Sequence, residues 1–264
     1  MNINVLFRNV RNYSNLNLGK FNRAITNHFL CKHASFCTKQ SSYFLNNKHL
    51  NSGLNQRRWY SDDQSSPSNK LPPLLPDSPI FVWPSLFKTI RNFILATFII
   101  KPYLDQEFNL PDFVSASKKA VEVVSQKLSE GDIKSLEGLV TNDIIASLQK
   151  AISMMSMSQR EQIATSVDDI YFSFPYQVGV IFNEEEGKEQ KRFVEITMVY
   201  HSLKGLSGMR SRGEEPPLNM GMLPEYQQRI SICNYRFIRE FTKGVEGDWT
   251  VNLLNHFKPI DEKK

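Results

Sequence analysis

The stretch Ile170-Tyr171-Phe172-Ser173-Phe174-Pro175-Tyr176-Gln177-Val178-Gly179-Val180-Ile181-Phe182 decides the fold class of this chain. Apolar side chains occupy every second position on either side of Pro175, and a period of two is typical of a β-strand. Three further segments with strand character follow, at residues 193–203, 228–241 and 249–257. The chain after Ala164 is therefore predicted to form a series of strands.

The chain before this stretch has the periodicity of helices instead. Apolar residues spaced three or four apart predict a helix over residues 113–128 that ends at Gly131, and then a short helix around Leu136. Thr141 is placed to cap a third helix, and Ser158-Gln159-Arg160-Glu161 has the form of a capping box. Helices followed by strands predict an α+β domain over residues 103–260, with helices packed on one face of a mainly antiparallel sheet.

Residues 81–102 predict an amphipathic helix, with Pro84 in its first turn and Pro102 ending it. Lys88, Arg91 and Asn92 are expected opposite the apolar face. The longest unbroken apolar run, residues 93–100, is far shorter than the roughly 20 residues that cross a bilayer. We therefore expect the face to lie on a membrane, with Lys88, Arg91 and Lys101 near anionic headgroups; the alternative is that it docks onto the sheet or onto a partner. Its members are Trp83, Leu86, Phe87, Ile90, Phe93, Ile94 and Phe98.

The first 60 residues carry nine Lys and Arg but no Asp or Glu, whereas the rest of the chain holds more acidic than basic residues. An acid-free, Ser- and Asn-rich basic leader is typical of a mitochondrial transit peptide; a disordered tail and a nucleic-acid-binding arm are the alternatives. Arg58-Trp59-Tyr60-Ser61 resembles a processing motif, so cleavage is expected near Tyr60 or Ser61. Residues 61–80 are Ser- and Pro-rich and predict a disordered linker. No DNA partner is expected.

The strands and loops offer little that indicates catalysis. His201, His256 and Cys233 lie in separate strand patterns without the spacing of a metal site, and no nucleotide-binding or nucleophile-elbow motif occurs. Asp168 and Asp169 are expected in a solvated turn. We therefore predict no enzyme activity, no cofactor and no metal. The cluster of Met154, Met155 and Met157 predicts either the buried end of a helix or an adaptable contact surface.

Two stretches carry a resemblance to a known family. Residues 108–148 contain an Asp-Phe pair, Ala-Val-Glu-Val-Val, a Gly131-Asp132 turn and Leu-Val-Thr; they resemble the C-terminal domain of the mitochondrial import motor's membrane-anchor subunit. The resemblance covers residues 81–258. The second stretch is closer to the members of that family that bind the matrix AAA protease. It comprises Arg239, Glu240, Phe241, Thr242, Lys243, Gly244 and Val245, followed by Asp248, Trp249 and Thr250.

The resemblance implies a cone-like fold of the nuclear-transport-factor type. It also implies a non-enzymatic adaptor in the mitochondrial matrix, peripheral to the inner membrane. Such an adaptor binds the matrix AAA protease and helps newly imported inner-membrane proteins, such as the calcium uniporter's regulatory subunit, to assemble. The same scaffold serves in a membrane-facing protein of the mitoribosomal large subunit and in the import motor, and these are the alternative functions. Enzymes with cone-shaped domains are a further alternative, which would require His201 or His256 in a pocket beside a carboxylate.

Overall fold

A computed structural model gives the structure of residues 70–75, 78–183 and 190–261. The leader, with the expected processing residues Arg58, Tyr60 and Ser61, lies outside these described residues. The described part of the chain runs through a set of helices and then four strands, as its periodicity predicts. The helices are α1 (Leu86–Ile94), which continues as a π-helical segment (Leu95–Ile100) into α2 (Lys101–Tyr103), then α3 (Leu110–Glu130), α4 (Asn142–Met154), α5 (Met157–Glu161), α6 (Leu206–Ser211) and α7 (Pro224–Gln227).

The four strands form one curved, unclosed sheet, in which each strand is antiparallel to its neighbour in sequence. The α+β prediction is therefore confirmed. Because the order in the sheet follows the order in the chain, β1 and β4 are its edges. The strands are β1 (Ile170–Asn183), β2 (Lys191–Leu203), β3 (Ile230–Glu240) and β4 (Thr250–Phe257).

The main core lies between one face of this sheet and helices α3 and α4. Leu128 of α3, Leu148 of α4, Ile196 of β2 and Phe237 of β3 are all fully buried within one cluster. Helix α3 ends where predicted, because Gly131 adopts a φ of 77° that closes the helix with a left-handed turn. The alternation of apolar and polar residues thus places the sheet's inner face correctly.

Strand β1 differs from a regular strand in a way that the alternation alone does not reveal. The pairing with β2 shifts register between Pro175 and Gln177, where Pro has no N–H to give to the ladder. Phe174 therefore packs in a second cluster with Val199, whereas Val178 packs in the main core. The bulge distributes the apolar residues of one strand between clusters on the two faces of the sheet.

Four local predictions need correction. Helix α1 begins at Leu86, so Trp83 and Pro84 precede the helix instead of lying in its first turn. The chain around Leu136 forms only a single 3₁₀ turn. The capping box is formed by Ser156 and Gln159, two residues earlier than predicted, because the Ser156 side chain accepts from the Gln159 N–H at 3.2 Å. Thr141 does precede α4, but its side chain makes no capping bond.

The chain before α1 also departs from the expected linker. Leu71, Leu74 and Leu75 are at most 8% exposed and belong to the main core. Asn255 of β4 accepts the Leu74 N–H at 3.4 Å, and Lys70 Nζ donates to the Asp261 carbonyl at 3.1 Å. Residues 70–75 are therefore part of the domain, held against its last strand.

Candidate functional site

The most unusual surface of the described chain is an apolar helix face that no other described residues cover. Ten of the seventeen exposed large apolar side chains lie between residues 80 and 103, so they are concentrated rather than scattered. The seven members of the predicted face are 48% to 81% exposed, and Ile99 and Tyr103 extend it. No described part of the sheet covers this face, which excludes intramolecular docking by residues 70–75, 78–183 and 190–261.

The opposite side of the same helix is what the domain buries. Asn92, Ala96 and Ile100 follow one another at intervals of four and are at most 4% exposed. Asn92, expected on the solvent side, instead bridges the bulge of β1: its Nδ2 donates to the Pro175 carbonyl at 3.0 Å, and its Oδ1 accepts the Val178 N–H at 2.9 Å. One side chain thus satisfies two backbone groups of an edge strand that the ladder leaves unpaired.

The π-helical segment lies in the middle of this surface. Lys101 N–H donates to the Ala96 carbonyl, five residues back, instead of four. Pro102 follows immediately, and it lacks the N–H that an α-helix would direct at the Phe98 carbonyl. The sequence predicts that the helix ends at Pro102, but the helix continues to Tyr103. The wider turn accommodates the proline and keeps Phe98 and Ile99 exposed while Ile100 stays buried.

The chain leading into the helix is fixed to the sheet by two buried polar side chains. His201 Nε2 lies 2.7 Å from the Val82 carbonyl, and its ring lies 5.3 Å from that of Trp83. Asn234 donates to the Phe81 carbonyl at 2.9 Å and accepts the Phe81 N–H at 3.3 Å. Burial lowers the pKa of His201, so the ring stays neutral at physiological pH and donates to the carbonyl.

The chain leaving the helix is fixed by the second stretch that carries the family resemblance. Arg239 pairs with Asp105 at 3.2 Å and donates to the Gly247 carbonyl at 2.8 Å. Its guanidinium also lies 4.6 Å from the Phe241 ring centroid. Trp249 is 3% exposed and packs against aromatic residues of the main core. These motif residues therefore hold the turn between β3 and β4 against the end of the helix.

The turn itself explains two of the glycines. Gly244 has a φ of 82°, a conformation that glycine adopts without strain. At Gly247, a Cβ atom would lie 2.6 Å from the Glu240 carbonyl oxygen, so any other residue would force the turn open. These two glycines therefore shape the turn between β3 and β4.

The charges along the helix are entirely positive. No Asp or Glu occurs between Asp77 and Asp105, while Arg91 and Lys101 are exposed. Lys88 is expected near lipid headgroups, but it contacts the sheet instead. Its Nζ lies 3.9 Å from the centroid of the Tyr176 ring on β1, a cation–π contact. Two of the three predicted cations therefore remain beside the apolar face.

Comparison with known proteins gives one group of relatives. The chain is 27% identical over 175 residues to m-AAA protease-interacting protein 1, mitochondrial, of Rattus norvegicus and of Mus musculus, covering 65% of this chain and 58% of the relative. The Homo sapiens protein is 26% identical over 170 residues, covering 63% and 57%. No family model matches the chain. The chain is a distant homologue of these mitochondrial proteins. It spans somewhat more than half of their length.

The histidine and the cysteine of strands β3 and β4 are buried next to each other. His256 is buried between Tyr235, whose hydroxyl lies 2.8 Å from Nε2, and Cys233, whose sulfur lies 3.3 Å from Nδ1. Burial lowers the pKa of His256 to about 3 and raises the pKa of the Cys233 thiol to about 12. Both groups are neutral at pH 7, the opposite of an activated thiolate and imidazolium pair.

The other residues that the sequence offers as candidates for a functional site also make structural contacts. Asp169 accepts the N–H groups of Gly205 and Ser207 and so caps the start of α6. Within residues 70–75, 78–183 and 190–261, no His, Cys, Asp and Glu side chains group as metal ligands, and the contacts of His201 and His256 include no carboxylate. Of the methionine cluster, Met155 is buried, whereas Met154 and Met157 are about 70% exposed.

We expect Cys233 to be inert in the folded protein. A buried thiol with a raised pKa presents neither a thiolate nor an accessible sulfur. Alkylation at pH 8, followed by mass spectrometry, should label Cys233 only after unfolding in denaturant. Glutathione added to the sample serves as the control for reagent activity. Labelling of Cys233 at a comparable rate under native conditions would contradict this burial.

Replacing Arg239 by Met should destabilise the domain by about 1–3 kcal/mol, because Asp105 and the Gly247 carbonyl lose their donor in a partly buried site. At roughly 2–4 °C per kcal/mol, a thermal melt resolves this change. Arg212→Met is the control, since Arg212 pairs with Glu214 at 2.9 Å on an exposed surface. Equal melting temperatures for the two variants would show that the Asp105 contact contributes nothing.

Proposed function

We propose that this protein is a non-enzymatic mitochondrial adaptor that contacts the m-AAA protease from a peripheral position at the inner membrane. The observation that carries the proposal is the exposed apolar face of the helix at residues 86–103. Contacts at both ends, together with Asn92 in the middle, hold this face outward on a rigid support. A concentrated, exposed apolar surface of this kind marks a site of contact with a membrane or with another protein.

A lipid surface fits the face better than a membrane span does. No helix in the described ranges is both long enough and apolar enough to cross a bilayer. Full immersion of the seven predicted side chains would contribute about 10–20 kcal/mol gross, of which shallow insertion realises a fraction. Arg91 and Lys101 add about 1 kcal/mol each near anionic headgroups. The balance supports reversible, salt-sensitive binding on the membrane surface.

Contact with the protease is supported by the name of the mammalian relatives. A place in the matrix and help for newly imported inner-membrane proteins, including the calcium uniporter's regulatory subunit, follow from the resemblance to the import-motor-anchor family. An adaptor lying on the membrane would hold such precursors beside the protease without crossing the bilayer itself. The buried, neutral state of Cys233 and His256 agrees with a role in binding.

Affinity purification of the tagged full chain from mitochondria, with quantitative mass spectrometry, tests the partner. We expect enrichment of the m-AAA protease subunits over the bulk of inner-membrane proteins. Enrichment of mitoribosomal large-subunit proteins or of import-motor subunits instead would favour those alternative roles and contradict this one. Alkaline carbonate extraction tests the mode of attachment, because a peripheral protein is released and a spanning one is retained.

Processing of the leader is expected near Tyr60 or Ser61 and, on structural grounds, before residue 70. Cleavage beyond Leu75 would remove three core leucines, each of which stabilises the fold by about 1.5–3 kcal/mol when buried. Sequencing the amino terminus of the protein isolated from mitochondria measures the position. A start within the first 40 residues, or after residue 75, would contradict this expectation, and Arg58→Ala should misplace the cut.

A further inference from the structure

A shallow depression on the domain has no role in the adaptor proposal and involves none of the exposed helix face. It has a volume of about 40 Å³ and lies at the end of the β2–β3 pair, where Ser202 and Ser231 are among the residues that line it. The two hydroxyl oxygens lie 2.7 Å apart. Since one water needs about 10–15 Å³, the space suits a group of a few heavy atoms, such as the end of a larger molecule.

Three cations surround this depression: Lys204, Arg229 and Lys258. Within residues 70–75, 78–183 and 190–261, none of them forms an ion pair with a carboxylate. Arg229 is held in place rather than mobile, because its Nε and Nη2 both donate to the Lys204 carbonyl, at 2.9 and 2.7 Å. A fixed guanidinium beside two unpaired ammonium groups favours an anion with several oxygens.

Among the described residues that line the depression, one carboxylate weakens this field without cancelling it. Asp169 accepts backbone N–H groups from Gly205 at 3.3 Å and from Ser207 at 3.2 Å, so its oxygens are already engaged at the start of α6. One negative charge against three positive charges leaves the depression positive. The sign of the site is therefore set by the cations.

The net charge of the site narrows the class of anion. Three cations against one engaged carboxylate leave an excess of two positive charges among the described lining residues. A phosphate monoester carries about −1.5 to −2 charges at pH 7, and neighbouring cations favour its dianion. A phosphodiester carries only about one negative charge. The site therefore suits a monoester better than a diester.

We propose that this depression binds a phosphate monoester, either on a small soluble molecule or as the exposed headgroup of a lipid. Lys204 and Lys258 neutralise the charge, and Arg229 orients the oxygens. The serine pair that lines the depression supplies one hydroxyl donor. This site is separate from the helix face, so failure of the membrane or protease proposals would leave it untouched.

The test uses the full chain in a Phe87→Glu/Phe93→Glu background, which removes binding through the helix face. Glycerol phosphate is titrated by calorimetry, and flotation compares vesicles that contain phosphatidic acid, a monoester, with vesicles that contain phosphatidylglycerol, a diester. Each measurement is repeated for Lys204→Gln/Lys258→Gln and for the matched control Lys119→Gln/Lys150→Gln. The control removes the same charge elsewhere and retains any contribution of the basic leader.

We expect saturable binding of the monoester that weakens about tenfold or more in the Lys204/Lys258 variant and not in the control. Binding of glycerol phosphate identifies a soluble ligand, whereas binding of phosphatidic acid vesicles alone identifies a lipid headgroup. Equal losses in the two double variants, or no saturable binding of either monoester, would overturn the proposal. Phosphatidylglycerol bound as well as phosphatidic acid would overturn the preference for a monoester.

Discussion

Vesicles that contain cardiolipin should carry the protein to the top of a flotation gradient, and the Phe87→Glu/Phe93→Glu variant should stay at the bottom. Phe87 is 81% exposed and Phe93 is 61% exposed, so both can change without disturbing the core. Each substitution removes about 1.5–3 kcal/mol of favourable transfer free energy and places a carboxylate near anionic headgroups. Together the two substitutions should lower partitioning into the vesicles by at least about 100-fold.

The chain provides a matched control for this experiment. Met154 and Met157 are 71% and 70% exposed at another part of the surface, so Met154→Glu/Met157→Glu removes similar apolar area and adds the same charge. We expect this variant to float like the wild type. If both variants fail to float, the loss reflects net charge. If the phenylalanine variant still floats but no longer purifies with the m-AAA protease, the face binds protein rather than lipid.

Replacing Asn92 by Ala should destabilise the domain by about 2–4 kcal/mol. The change leaves the Pro175 carbonyl and the Val178 N–H without their side-chain partners, in a position where Asn92 is only 1% exposed. Denaturant unfolding measures the loss, and limited proteolysis should show earlier cleavage around the helix. Asn92→Asp keeps an acceptor for Val178 but has no donor for Pro175, so it should also be destabilised.

Thr89→Ala is the control on the same helix. Its hydroxyl donates to the Ser85 carbonyl at 3.0 Å on an exposed surface, and its loss should change the free energy of unfolding by no more than about 0.5 kcal/mol. If Asn92→Ala and Thr89→Ala were equally stable, the bridge to the bulge would not hold the helix in place.

Sequence periodicity correctly predicts the features that are determined by the spacing of residues within a single strand or helix. Features of this kind include the four strands, helix α3 with its end at Gly131, and the five exposed apolar residues of α1, which are Leu86, Phe87, Ile90, Phe93 and Ile94. Each is encoded by spacing within about 20 residues of chain. The exposure of the face is a separate matter, because spacing shows that these side chains share a side but not what covers them.

The features that periodicity misses depend on contacts between distant parts of the chain. Asn92 reads as a polar residue on the solvent side, yet its two partners lie more than 80 positions away in β1. The interval of four that it shares with Ala96 and Ile100 is the one local signal of its burial. Leu71, Leu74 and Leu75 have a helical spacing that the surrounding prolines conceal.

The apolar helix face is held in place only after the whole domain has folded, because residues 70–75 contact the segment around β4. Leu74 meets Asn255 across 181 positions, and Lys70 meets Asp261 across 191. A chain that enters a compartment amino end first therefore presents residues 70–103 long before their docking strands arrive. Loop closure over such distances is slow. Until those strands arrive, residues 70–103 remain unfolded with their apolar side chains exposed. Chaperones would have to protect this segment from aggregation.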